Sequence, residues 1–413
     1  MKKITFVAIT IVTFFVGCSK NDTQNPADDS APHSKTAGLT SSVTYTDESS
    51  FVSSLSSYGF LNPSQLTYNR DATSSGYASV YGFNIPTANR VKGFKWNPGD
   101  EQTRDWRPQG IAGFTWGNRK YILTTWYGVG PDPNDSFTDV HNQHKGVRIA
   151  IADVTDMSNI TYRHILLVQN KANMSNSLLF DTFPQSTNPY TQGDLYAAVT
   201  IHAGGVAFYN NKIYVADTGR GVRVFDLNNF IAVSSDSSSQ IGKMSNGTLQ
   251  AFNYGYILPE TGWYSLTGAA PYSCVELGEG TRLWFGQYLT SGSPKVTGYA
   301  LDTGGQISTG TPSTVNPIDN TGTPVFRVQG VYRKGTQTFM TTTGNSSYEG
   351  STARLVRYND GASLGTRYRW PHGSEDLYYE SSTGYLWCLT EYETNVYGSD
   401  NRCVFAVRLS DYD

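Results

Sequence analysis

Charge is scarce in this chain: Asp, Glu, Lys and Arg make up 16% of the residues, and the formal net charge is −3. Such a surface has no electrostatic grip on a phosphate backbone, so nucleic acid is excluded as the main partner. Cysteine is scarce too, at four residues, and Cys274, Cys388 and Cys403 are too scattered to frame a zinc site. Beyond the first residues, no apolar run reaches transmembrane length. The chain has no Gly-x-Ser-x-Gly nucleophile elbow and no phosphate-cradling Gly-Lys loop, which argues against a serine hydrolase of that kind and against a P-loop enzyme. What is abundant is Gly (41), Tyr (28) and Trp (8). That composition suits many short strands, tight turns and aromatic surfaces.

The chain opens with basic Met1-Lys2-Lys3 and an apolar stretch from Ile4 to Val16, short for a span and typical of an export signal. The stretch runs into Phe15-Val16-Gly17-Cys18, which resembles a bacterial lipobox. Ser19-Lys20-Asn21-Asp22 resembles the polar stretch after the lipidated Cys of Bacteroidota lipoproteins. The resemblance implies a signal peptide over 1–18, lipidation at Cys18, and an outer-membrane lipoprotein at the cell surface or periplasmic face, with a lipid anchor as its one membrane contact. Residues 19–50 are rich in Ser, Thr, Asp, Asn and Pro. They bury too little apolar surface to offset chain entropy and read as a flexible tether. Residues 51–413 read as one all-β domain. Export permits a disulfide between Cys388 and Cys403, which fall on successive strands around a polar turn; two buried free thiols are the alternative.

The strongest feature is a repeat that recurs five times. A small residue starts a short apolar strand, an aromatic-rich strand follows, and a third strand runs into an Asp. The clearest copy runs from His202-Ala203-Gly204-Gly205 through Lys212-Ile-Tyr-Val-Ala-Asp217 to Gly221-Val-Arg-Val-Phe-Asp226. The closing Asp residues fall at 153, 226, 302, 360 and 411. Short β-rich strands at this repeat length predict a β-propeller of five blades. Six or seven blades stay open, because the spacers at 170–200 and 230–262 have room for a divergent one. A fourth, outer strand follows most units, and Ile160 to Val168 is the best example. The last unit runs out of chain before its outer strand. An N-terminal segment, Tyr77 to Asn84 or Arg90 to Trp96, is expected to supply it and so close the ring. Ser50 to Leu61 reads as a helix outside the ring.

Aligning the units places Arg107, His202, Tyr272, Arg327 and His372 three positions ahead of the first-strand Gly or its counterpart. In a propeller that register opens at one mouth of the central channel, beside the loops joining second and third strands. Those loops are expected to bring Trp126, Tyr127, His144, Arg220 and Tyr288, with Trp106 alongside. Two Arg with several His and Tyr suit an anionic ligand, since a guanidinium grips a carboxylate through paired hydrogen bonds. Trp106, Trp126 and Tyr127 offer faces for sugar rings. β-Elimination from a uronic-acid sugar needs this set directly. Arg107 and Arg327 would hold the carboxylate, His202 would remove the adjacent proton, and Tyr272 would protonate the leaving oxygen. His372 or His144 would exchange roles with these. The expected partner is therefore an acidic polysaccharide or oligosaccharide, with no cofactor.

Plainer readings stand beside this one. A His beside a Gly-Gly turn is often structural, and Arg107 ahead of Pro108 would brace a neighbouring blade. A glycosidase needs paired carboxylates; Glu375, Asp376, Asp194, Asp217 and Asp105 are available but do not share a ring position. His141-x-x-His144 with Asp139 has the donors for a metal, and Asp132, Asn134 and Asp135 those for a structural calcium, yet a loop this rich in Asp, Asn and Gly is also what a solvated turn looks like.

Asp105-Trp106-Arg107-Pro108-Gln109-Gly110, Tyr162-Arg163-His164 and His202-Ala-Gly-Gly205 resemble motifs of secreted bacterial propeller proteins without an assigned activity. The likeness spans about 100–411 and implies a propeller and export. A looser likeness of fold and residue types is to propeller polysaccharide lyases and rhamnose–glucuronate-cleaving propellers, which implies a His with Tyr and Arg at the channel mouth. The alternatives are a non-catalytic glycan-binding or scaffold propeller of the envelope, and a glycoside hydrolase.

Overall fold

A computed structural model describes residues 42–129, 145–173, 190–266, 272–343, 353–392 and 402–413. The chain is a five-bladed β-propeller. Blade 1 comprises Trp106–Trp116, Arg119–Gly128, Val147–Asp153 and Ile160–Asn170. Blade 2 comprises Val206–Tyr209, Lys212–Asp217, Gly221–Asp226 and Tyr256–Leu266. Blade 3 has Tyr272–Gly278, Arg282–Gln287, Val296–Ala300 and Ser313–Val315; blade 4 has Val328–Lys334, Gln337–Thr342, Arg354–Asn359 and Thr366–Arg369. Blade 5 takes Ser374–Glu380, Tyr385–Thr390 and Val404–Arg408 from the end of the chain. Its outer strand is the N-terminal Arg90–Phe94, antiparallel to Val404–Arg408. The ring closes as expected, and Arg90 to Phe94 is the closing segment; Tyr77–Ser79 is a 3-10 turn.

Period-two alternation explains why blades form. Within Val147–Asp153, Val147, Ile149 and Ile151 face one apolar cluster while Ala150 and Ala152 face another. Each blade thus contributes one face to each neighbour. Five clusters result, shared by blades 1 and 2 (Leu123 with Val215), 2 and 3 (Tyr214 with Phe285), 3 and 4 (Trp284 with Met340), 4 and 5 (Phe339 with Leu386), and 5 and 1 (Trp387 with Ile122). The cores themselves close the circle.

The spacers build no further blade among the described residues. Thr191–Gln192, Gln240–Lys243 and Leu249–Ala251 form a small sheet against the outside of blades 1 and 2, whose outer strands run parallel at Ile257 and Leu166. The helix at Ser49–Ser54 and a 3-10 turn at Ser56–Tyr58 lie outside the ring, with Phe51, Val52 and Leu55 buried on that same layer.

Cys388 and Cys403 are free buried thiols, not a disulfide. Cys388 pairs with Phe405, whereas Cys403 accepts the backbone N–H of Thr390. They are diagonal neighbours across the ladder, about 7 Å apart at that offset, beyond disulfide reach.

Candidate functional site

The inner strands approach backbone to backbone at the middle of the ring. A Cβ on Gly110 would lie 2.7 Å from Val206 N, one on Gly205 2.4 Å from Val275 N, and one on Gly330 2.6 Å from Asp376 Cα. Glycine is required there by closeness alone. The Asp376 carboxylate seals this floor, accepting the N–H groups of Ile111 (3.2 Å) and Val206 (3.1 Å) from two other blades. Threonines lace adjoining blades: Thr125 donates to Ala203 O at 2.7 Å and Thr341 to Glu375 O at 2.5 Å. The channel mouth is therefore a depression over a rigid floor.

A β-bulge opens the inner strands of blades 1, 3, 4 and 5 at the same level. It fixes the register that the sequence alignment left loose. Pro108, Tyr272, Val328 and Ser374 are equivalent, each preceding the bulge. The position before them is Arg107 in blade 1, Arg327 in blade 4 and Gly373 in blade 5, and His202 holds it in blade 2. In blade 3 it is residue 271, outside the described residues. Tyr272 is thus one residue past the mouth register, and one residue turns a strand side chain to the other face. It is 3% exposed in the core between blades 2 and 3, packed on Phe285 and hydroxyl to hydroxyl with Tyr299 at 3.4 Å. Burial pushes its phenol further from ionisation. The acid role expected for Tyr272 is corrected on that ground.

The mouth residues that meet are Arg107, Tyr127 and His202. Arg107 stands opposite Tyr127 on the paired first and second strands of blade 1. The Tyr127 ring lies on the His202 imidazole from blade 2, with centroids 4.2 Å apart. All three are partly exposed. On the far side of blade 1, His372 is one residue short of the register yet stays at the mouth, because its ring stacks on Tyr392 at 4.9 Å. Burial pulls its imidazole down to about 4, so it is neutral near pH 7. Arg327 sits at the seam of blades 3 and 4, its N–H donating to Leu289 O at 3.0 Å, which sets partly exposed Tyr288 beside it. Arg327 (φ +55°) and Ala203 (φ +53°), next to His202, are both left-handed. Non-glycine residues held there cost about 1 kcal/mol or more and tend to cluster at working sites.

Three expected ligand contacts are elsewhere. Trp106 (5% exposed) and Trp126 (0%) lie in the core between blades 5 and 1. Arg148 lies over both rings, at 4.5 and 4.8 Å, so neither offers a face to a sugar. Arg220 turns outward over Trp263 on the last strand of blade 2, at 4.5 Å. His144, the 130–144 loop with its His141, Asp132, Asn134 and Asp135, and Cys18 lie outside the described residues.

Several residues that sequence reasoning missed build the mouth. Gln109 and Gln329 share one register, and each donates to a carboxylate at 2.7 Å: Gln109 to Glu391 and Gln329 to Glu375. The repeated Gln-Gly of units one and four carried that signal. Arg402, fully buried, donates to Glu391 O (2.7 Å), Asp100 O (2.8 Å), Thr103 O (2.8 Å) and Trp106 O (2.7 Å). One guanidinium thereby fixes the backbone beside both Arg107 and Tyr392. Beneath it, Asp100 accepts from Arg70 (2.9 Å), Arg148 (3.1 Å) and Tyr162 (2.5 Å), and the His164 Nε2 lies 3.0 Å from the same carboxylate. Of the carboxylates available for a glycosidase pair, Asp217 is tied to Arg223 at 2.8 Å and Asp194 to Lys171 at 2.9 Å.

No family profile matches this chain, and no curated protein does. Among solved structures, it is similar to a β-xylosidase at 9% identity and a TM-score of 0.37, over 75% of this chain and 92% of the other. It is similar to a family 43 arabinoxylan arabinofuranohydrolase from Bacillus subtilis in complex with cellotetraose, at 11% identity and TM-score 0.36, over 75% and 65%. A putative glycoside hydrolase from Parabacteroides distasonis is similar at 8% identity and TM-score 0.33, over 85% and 96%. The five-bladed assignment stands on the strand pairing and the five shared cores of this chain.

Proposed function

We propose that the channel mouth binds an acidic saccharide and cleaves it. The cluster of Arg107, Tyr127 and His202 carries the reading: a guanidinium for a carboxylate, an imidazole at 4.2 Å from a phenol ring, and an aromatic face for a pyranose. In elimination, Arg107 on the carboxylate acidifies the adjacent C–H. His202 takes that proton, the C–O bond to the leaving sugar breaks, and the Tyr127 phenol, in the place first given to Tyr272, protonates the departing oxygen. Arg327 and Tyr288 extend the anion-binding rim.

Hydrolysis is the second reading, favoured by the Glu375 and Glu391 carboxylates just inside the rim, each held on a Gln amide at 2.7 Å. Incubation with a panel of uronate-containing and neutral polysaccharides, following ultraviolet absorbance and new reducing ends in one sample, separates the readings. Absorbance rising with reducing ends is elimination; reducing ends alone, abolished in Glu391→Gln, is hydrolysis. Binding without either product would reduce the protein to a glycan-binding propeller. The same proposal includes export and a lipid at Cys18, tested by palmitate labelling that Cys18→Ser abolishes.

A further inference from the structure

At the end of the ring away from the mouth, blades 5 and 1 leave a cavity of about 220 Å³. Lys92 reaches it from the closing N-terminal strand, Lys120 from the start of the second strand of blade 1, and Glu380 from the end of the first strand of blade 5. Glu380 is committed within the protein, accepting from Lys120 (2.9 Å) and from Trp387 Nε1 (3.1 Å). Lys92 stands 3.9 Å from it, its ammonium over the Trp387 ring at 4.9 Å. The ammonium also lies 5.3 Å over the Tyr385 ring, and the Lys92 side chain is 25% exposed. Burial, with Lys120 nearby, draws its ammonium down from the usual lysine range against the pull of Glu380.

The charge count is two ammoniums to one carboxylate, a surplus of one positive charge. The rest of the lining includes the partly exposed ring of Tyr378 and the exposed hydroxyls of Ser381 and Ser382. The volume falls below that of pockets for drug-sized ligands and suits one pyranose. The geometry points to a second binding site here, for a single uronate sugar: its carboxylate on Lys92 and Lys120, its hydroxyls on the two serines, its C–H face on Tyr378. The site stands independently of what the mouth binds.

The test is calorimetric titration of D-glucuronate, D-glucose and inorganic phosphate into the full chain carrying Arg107→Ala, with and without Lys92→Met or Lys120→Met. Lys120 is half exposed and its replacement leaves the core untouched, so loss of binding there does not arise from unfolding; thermal melts check both variants. Glucuronate is expected to bind at one site, at least tenfold more weakly after either lysine replacement, with glucose at least tenfold weaker than glucuronate. Unchanged affinity in both lysine variants, no glucuronate binding, or phosphate binding as tightly as glucuronate would overturn the inference. Failure of the mouth reading shows separately, as an Arg107→Ala change that leaves saccharide cleavage intact.

Discussion

Arg107 is the residue on which ligand binding turns, because its guanidinium is the charged member of the cluster with Tyr127 and His202. Removing a charge-assisted pair costs about 2 kcal/mol, so Arg107→Ala is expected to weaken a uronate oligosaccharide about thirtyfold, with the melting temperature nearly unchanged. His202→Ala should remove turnover while leaving most of the binding; a variant that still turns over takes His202 out of the mechanism. The thiols give a separate check. Cys388 and Cys403 should both be alkylated in denaturant without reductant, and neither in the folded protein, as read by mass spectrometry. At this scale the sequence showed residue types well and register poorly. Arg107, His202 and Arg327 are legible because Gly110, Gly205 and Gly330 mark their blades. Blade 3 has Cys274 at that place, and without the glycine Tyr272 slid by one and took a core position for a mouth position.

Elements fix the mouth through contacts that no local pattern announces. Arg402 ties four carbonyls from blade 5 and the 100–106 segment, a set joined from opposite ends of the chain and so invisible in sequence. Arg402→Met would leave four buried carbonyls without their donor, and a loss of about 3–5 kcal/mol in chemical denaturation is expected. Gly330→Ala tests the floor. Its Cβ would meet Asp376 Cα at 2.6 Å, backbone that has no room to yield, and a loss of about 2 kcal/mol or more follows. Lysine in place of Arg402 should fail as badly as Met, since one ammonium does not span those carbonyls; near-native stability in Arg402→Lys would contradict the clamp.

The whole molecule carries two opposing pH limbs. Burial and then Arg148 pull the His164 imidazole down to about 4. Unfolded, it titrates near 6.5, so between about 6.5 and 4 the unfolded chain holds a proton that the native one rejects. Stability therefore falls as pH drops through that window, by about 3 kcal/mol for the full shift. Burial alone would raise the Asp100 carboxyl, but His164, Arg148 and Arg70 hold it well below its usual range, which adds to the acid loss at lower pH. Glu276 acts the other way. Burial, with Asp376 beside it, pushes its carboxyl well up, so the native state keeps a proton that the unfolded chain releases above about 4.3, and stability declines as pH rises. Urea midpoints from pH 4 to 8 should show His164→Gln flattening the acid limb and Glu276→Gln the alkaline one.

Architecture was the most legible level, because alternation into two faces repeats in every blade and the missing outer strand had to come from the N-terminal side. The seal of the channel and the buried Asp100 network were not, since both join residues far apart in sequence. The measurement that bears most directly on the account is calorimetric titration of a four-residue uronate oligosaccharide into wild-type protein and into Arg107→Ala, His202→Ala and Tyr127→Phe. Binding at the mouth weakened about thirtyfold by loss of Arg107, and little by Tyr127→Phe, is the expected result. Affinity unchanged in Arg107→Ala would contradict it.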